Sequence, residues 1–136
     1  MKYYFNIALG RVSFDDAVTK VMAGLKEEGF GIISDIDMKE TLKKKIDVDF
    51  RKYRILGACN PSLAYNAIQK EGKIGLMLPC NVVVEENENG EIEASIIDPV
   101  ASMMAIENSE LGEVADKVRS KLKKVAENLS SPVLNE

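Results

Sequence analysis

The chain contains no histidine, so no imidazole can act as a near-neutral acid or base or as a metal ligand. Cysteine is nearly absent too. Cys59 and Cys80 are the only two in 136 residues, too few for a disulfide framework; with no secretion signal in view they read as reduced thiols in a reducing compartment. Long hydrophobic runs are missing. The longest nearly apolar stretch, Ile74 to Val84, is interrupted by Pro79 and Asn81 and falls well short of the roughly 20 residues that cross a bilayer. There is no excess of positive charge. The net charge is −4 and the pI is near 5.0, which argues against the dense basic surface that non-specific nucleic-acid binding requires. The one basic run, Lys43-Lys44-Lys45, is flanked by Glu40 on one side and Asp47 and Asp49 on the other, and reads as a solvated face. Gly10, Gly29-Gly31 and Gly72-Gly75 lack the G-x-x-x-x-G-K spacing of a phosphate loop, so nucleotide binding has no support. Met1-Lys2 leads straight into Tyr-Tyr-Phe-Asn without an apolar h-region, and the expected location is cytoplasmic.

What is present is an ordinary globular composition. Hydrophobic residues make up 46% and charged residues 29%, away from the disordered regime. A chain of this length buries roughly two thirds of its unfolded surface, so neither metal nor disulfide is needed for stability. The expectation is one domain over residues 1–129, followed by a loose C-terminal tail, 130–136, that begins Ser-Ser-Pro.

Periodicity supplies the elements. Tyr3, Phe5, Ile7 and Leu9 alternate with Tyr4, Asn6 and Ala8, the pattern of a strand with two unlike faces. Ser13, with Asp16 three residues on, predicts a capped helix whose stripe is Phe14, Ala17, Val18, Val21, Met22 and Leu25, ended by Gly29. Phe30 to Asp37 predicts a second strand, and Met38 to Ile46 a polar connection that can hold one or two helical turns. Tyr53 to Cys59 predicts the third strand, with Asn60-Pro61 starting a short helix that runs to about Glu71. After the apolar Ile74 to Leu78, Pro79 breaks the chain before a strand from Cys80 to Glu86. Asn89-Gly90 turns it back into a strand from Glu91 to Ile97, placing Val82 and Val84 against the face of Ile92, Ala94 and Ile96. Asp98-Pro99 starts a turn of helix, and a last helix carries Leu111, Val114, Ala115, Val118, Leu122, Val125, Ala126 and Leu129 on one stripe, with Ser109 as its cap.

That order gives an α+β domain: a mainly antiparallel sheet with two amphipathic helices packed on one face. Two helices cover one face only. Tyr4, Ala8, Ile33 and Val83 make the other too apolar to stand in water alone, which is the physical reason to expect a homodimer.

The segments Gly57-Ala-Cys-Asn-Pro-Ser-Leu-Ala, Ile74-Gly-Leu-Met-Leu-Pro-Cys-Asn-Val-Val-Val and Ile96-Ile-Asp-Pro-Val, with Asp37-Met-Lys-Glu-Thr-Leu-Lys-Lys-Lys upstream, resemble the bacterial and archaeal family of domains of unknown function numbered 302. The resemblance runs from Tyr4 to about Leu129. It implies a β-α-β4-α fold similar to the TATA-binding-protein-like arrangement, dimers among relatives, and no established activity. Such a fold does not license a DNA-binding claim.

Cys59, Asn60, Cys80, Asn81 and Asp98 are the candidate ligand or redox residues. If the strand ending at Cys59 and the one starting at Cys80 are antiparallel neighbours, residues 60–79 form an excursion whose ends meet, and Cys59 precedes a helix N-terminus that favours a thiolate. A one-residue register difference would instead put the two on opposite faces, and free cysteines are commonly small buried hydrophobes. Zinc would need both thiols plus a carboxylate such as Asp98, and copper(I) would recruit Met77, Met103 or Met104; neither spacing is a recognised motif, and no metal or cofactor is assigned. Asn60, Asp98 and Ser109 are explained by capping. Asn81 fits a ligand contact or a turn equally well. Without a base beside the thiol no catalytic residue is named. The chain reads as a small-molecule-binding or interaction module rather than an enzyme; a thiol redox protein or soft-metal binder, and a structural assembly subunit without a ligand, are the alternatives.

Overall fold

The structure, a computed structural model, describes residues 2–130. Alternation of apolar and polar residues drives five strands into one sheet: β1 (Tyr4–Gly10), β2 (Gly31–Asp37), β3 (Tyr53–Cys59), β4 (Cys80–Glu86) and β5 (Ile92–Ile97). Their order across the sheet is β1-β5-β4-β3-β2, and each neighbouring pair is antiparallel. Ignoring short helical insertions, the chain order is β-α-β4-α, as the pattern and the resemblance implied. The β4–β5 pairing sets Val82 opposite Ile96 and Val84 opposite Ala94, the register expected from their common period of two. Asn87 Oδ1 accepts from the amides of Asn89 and Glu91 at the hairpin, and Gly90 takes φ +78°, a conformation glycine reaches without a Cβ penalty.

One face of the sheet is dry. Ile7, Leu56, Ala58, Val82, Val84, Ala94 and Ile96 are each at most 2% exposed. Helices α1 (Phe14–Glu27) and α5 (Leu111–Ser130) pack on that face. In α5 the predicted stripe is buried from Leu111 to Leu129, Ala126 alone being only half-buried; each buried Val or Leu contributes about 1.5–3 kcal/mol. Helix α1 starts as expected, with Ser13 Oγ accepting from the Asp16 amide at 3.0 Å. It ends in a Schellman arrangement: Phe30 N–H reaches Leu25 O, and Gly29 N–H reaches Lys26 O, with Gly29 at φ +88°.

Three shorter helices fill the connections. The segment expected to be mostly polar connection is a nine-residue helix, α2 (Met38–Ile46). It buries no side chain, and stands on its ends: Asp37 caps the Glu40 amide, Asp47 adopts the left-handed conformation, and Lys43 pairs with Asp47 and Asp49 while Lys44 pairs with Glu40. The basic run is therefore a solvated face. Helix α3 (Pro61–Lys70) is capped by Asn60, whose Oδ1 accepts from Leu63 N–H at 3.2 Å; a 3-10 turn follows over Ile74–Met77, and α4 (Pro99–Ser102) is one turn capped by Asp98. At the start of α5 the side chain that bonds a free amide is Asn108, accepting from Glu110 N–H, rather than Ser109. Asn108 Nδ2 also donates to Lys70 O and Glu71 Oε1, tying the end of α3 to the start of α5. Of the expected tail, Ser130 is the last residue of α5, and 131–136 lie outside the described residues.

Gly57 in β3 is fixed by contact. A Cβ there would stand 2.2 Å from Ser34 Oγ and 2.6 Å from Pro79 Cγ. Overpacking at such a point costs about 1–3 kcal/mol, so Gly57→Ala is expected to lower the unfolding free energy by that amount, seen as a lower denaturant midpoint, and the Ser34→Gly, Gly57→Ala double variant should recover part of the loss. An unchanged midpoint for the single variant would show that the β2–β3–Pro79 junction is looser than described.

Candidate functional site

Two concave regions lie on opposite faces of the sheet, and of the sequence-predicted residues Cys59, Asn60 and Cys80 line one, Asn81 the other and Asp98 neither. The first is on the helix side, where β3 and β4 end against α3 and α5. Cys59, Asn60, Cys80 and Met103 all line it. The β3–β4 register sets Ala58, not Cys59, opposite Cys80, so the thiols are offset by one residue along the ladder. They still reach one cavity, because Cys59 is the last strand residue, where the chain turns into Asn60 and α3. Cys80 is buried and Cys59 half-buried, and both are free thiols. The cavity measures about 30 Å³, room for little more than one water and far below the roughly 300–1,000 Å³ of an ordinary small-molecule pocket.

Electrostatics there disfavour a free thiolate at Cys80. Burial pushes its pKa up from 9.0 to about 11, with the neighbouring Cys59 adding to the rise. Asn60 is occupied by its capping bond, and its Nδ2 lies 2.9 Å from the position a Cβ on Gly29 would take.

Asp98 does not line this cavity. It is 9% exposed; Oδ1 accepts from Val100 N–H at 3.0 Å and Oδ2 from Arg119 Nε at 3.0 Å, so it holds α4 and α5 to the end of β5. Arg119 gave no signal in sequence, since a single arginine on the polar side of an amphipathic helix is ordinary. The proposed zinc set is thus not assembled, and among the described residues no three histidine, cysteine or acidic groups gather to hold a metal ion. Of the three methionines considered, Met103 lines the same cavity as the thiols, while Met77 and Met104 lie outside it and are 41% and 63% exposed.

Asn81 lies elsewhere. Strand parity sends it, with Val83 and Glu85, to the face opposite the helices, where a shallow depression of about 370 Å³ is floored by Asn6, Asn81, Val83 and Ser95. Tyr3, Tyr4 and Tyr53 also line it. Ser95 Oγ bonds the Asn6 side chain at 2.9 Å, across a directly paired position of β1 and β5. Glu85 and Glu93 face each other in the β4–β5 ladder, and Arg51 Nη2 reaches Glu85 Oε1 at 3.0 Å. Sequence reasoning passed over this group. The signal was available: Asn81 and Glu85 share strand parity, and the Asn89-Gly90 turn puts Glu93 and Ser95 on the same face.

A five-stranded antiparallel sheet with helices on one face, a thiol-lined cavity beneath them and a polar depression on the other face define the domain. The chain belongs to the family described as "Domain of unknown function DUF302", whose model matches residues 5–129. Among solved structures it is similar to the uncharacterized conserved protein DUF302 from Bacillus stearothermophilus, at 23% identity and a TM-score of 0.85, covering 96% of this chain and 100% of that one. The likeness shows a shared fold. Curated proteins give no match.

The raised thiol fixes a pH dependence. A Cys80 pKa moved from 9.0 to about 11 means the unfolded chain loses that proton first, so stability is fully present below about pH 9 and is lost as pH rises towards 11. Comparing the pH–stability curve of the wild type with that of Cys80→Ala isolates this contribution from lysine and tyrosine titration. The wild type should lose more stability than the variant across that window, by about 2–3 kcal/mol at its upper end; parallel curves would contradict the buried, protonated thiol.

Proposed function

We propose that the protein is a small-molecule-binding module whose ligand surface is the open face of the sheet, and that two copies associate through the same face in the cytoplasm. The depression of about 370 Å³, with amide, hydroxyl and phenol groups converging on it, carries this reading, since its size falls within the range of ligand sites. Its lining includes two carboxylates and no cationic side chain, which favours neutral or cationic ligands. Association is supported by Ile33 and Ile36 of the edge strand β2, 64% and 45% exposed, an apolar edge of the kind that marks interaction surfaces. Among the described residues no helix is long and apolar enough to cross a membrane.

The thiol-redox alternative receives less support, because the thiolate is the reactive species and burial opposes its formation at Cys80. A purely structural subunit would present a flat apolar face with no polar depression.

Two measurements test the reading. Amide chemical-shift mapping with putrescine, a neutral diol of the same length and a dicarboxylate should show shifts on β1, β4 and β5 for at least one probe, abolished by Val83→Arg, which fills the depression from its floor. Shifts absent with all three probes, or confined to the helices, would remove the ligand surface. Sedimentation equilibrium should give a dimer for the wild type and a monomer for Ile36→Glu; a monomeric wild type would remove the association.

A further inference from the structure

The open face leaves the helix-side cavity without a role, and its chemistry differs from the rest of the molecule. Three sulfur-bearing residues from three separate segments line it: Cys59 at the end of β3, Cys80 at the start of β4 and Met103 at the end of α4, and Cys59 is near enough to Cys80 to raise its pKa. The remaining lining is almost wholly apolar, with Leu63, Leu78 and Val118 among it and no carboxylate, lysine or arginine. We propose that Cys59, Cys80 and Met103 form a binding site for a single copper(I) ion.

The donor set selects the metal. Thiolate and thioether sulfur are soft ligands that favour copper(I), whereas zinc in a structural site takes four ligands and calcium and magnesium take oxygen. Here three sulfurs are present, histidine is missing from the chain, and Asp98, the carboxylate expected beside the thiols, is engaged by Arg119 and the α4 amide. Volume selects in the same direction. A cavity of about 30 Å³ matches the share of one water in the liquid, so it admits a bare ion stripped of its shell but not a hydrated one. Half-buried Cys59 and Met103 give the ion a way in, and buried Cys80 closes the inner side.

The charges balance. Two Cu–S bonds form as two S–H bonds break, both protons leave to solvent, the Met103 sulfur donates a lone pair, and copper stays in the +1 state throughout. The centre then carries a net charge of −1. It lies beside the N-terminus of α3, a ten-residue helix starting at Pro61, whose free amides carry partial positive charge. Burial that keeps Cys80 protonated in the empty protein is overcome on binding, because a coordinating thiol is deprotonated outright by the metal. This inference does not rest on the open-face reading.

Anaerobic titration of the reduced protein with copper(I), in competition with a chromogenic copper(I) chelator, should give one ion per chain. X-ray absorption at the copper edge should show a first shell of sulfur alone, and protein grown with selenomethionine should add a selenium neighbour. Cys59→Ser, at a half-buried position that leaves the core intact, should weaken binding by at least about 100-fold, and Met103→Leu, which keeps the volume, by about tenfold, in the range by which even outer-shell partners alter metal affinity. The assignment to all three residues is overturned by a nitrogen or oxygen shell, by no binding that competes with the chelator, or by affinity unchanged in either variant. Should Cys80→Ser fail to fold, these two variants still decide the matter.

Discussion

Everything in this molecule follows from the pairing of β3 with β4 in the register that sets Ala58 opposite Cys80. That pairing closes the excursion of residues 60–79, so that α3 and the 3-10 turn leave the sheet and return at one point. It also sorts the side chains. Leu56, Ala58, Cys80, Val82 and Val84 are sent under the helices, where each is at most 7% exposed, while Gly57, Asn81 and Val83 are sent to the other side. Because side-chain direction in a strand has a period of two, a slip of one residue would exchange the two sets and expose the core. The contact of Gly57 with Ser34 and Pro79 stands at this junction and extends the same register to β2.

The fold was largely legible because its signals are local and agree with one another. Ser13, Asn60 and Asp98 cap the helices they were expected to cap, and the Asn89-Gly90 turn fixes the β4–β5 register. Helix α2 was underestimated for a physical reason. It has no buried stripe, so hydrophobic periodicity carries no information about it, and its stability comes from end caps and i,i+4 ion pairs that are individually weak. Ser109 was expected to bond the amides at the start of α5, but Asn108, of the same polar type, bonds the Glu110 amide there; the cross-link from Asn108 to the end of α3, which only the tertiary structure supplies, separates them.

The candidate site was legible in part. The excursion of residues 60–79 closes on itself, with Cys59 and Cys80 offset by one residue in the β3–β4 ladder, and both residues line one cavity. The inclusion of Asn81 in the same cluster treated adjacency in sequence as adjacency in space, which a strand forbids, since successive residues face opposite sides. Asp98 looked like a ligand because it is a carboxylate near the same end of the sheet. Its buried bond to Arg119 shows how such a charge is more commonly accommodated, by a partner that satisfies it and joins two elements. Met103 could be suspected as a donor but not chosen over Met77 and Met104, because the path of α4 across the sheet end depends on packing against α5.

The two faces place opposite electrostatic demands on a ligand, and this separates their chemistry. Beneath the helices, burial raises the cost of charge, so a negative centre persists there only if a cation is bound to the sulfur atoms themselves. On the open face, Glu85 and Glu93 stand directly opposed, an arrangement that disfavours folding slightly unless a positive group intervenes. Arg51 meets one of the two carboxylates, which leaves the other facing a depression lined by tyrosines. A soft ion on the three sulfurs and a solvated polar molecule on the amides and phenols would therefore not compete for the same groups. Strand β4 supplies both surfaces, its even-numbered residues facing the sulfur cavity and the core and its odd-numbered residues the depression, so occupation of one side leaves the donors of the other in place.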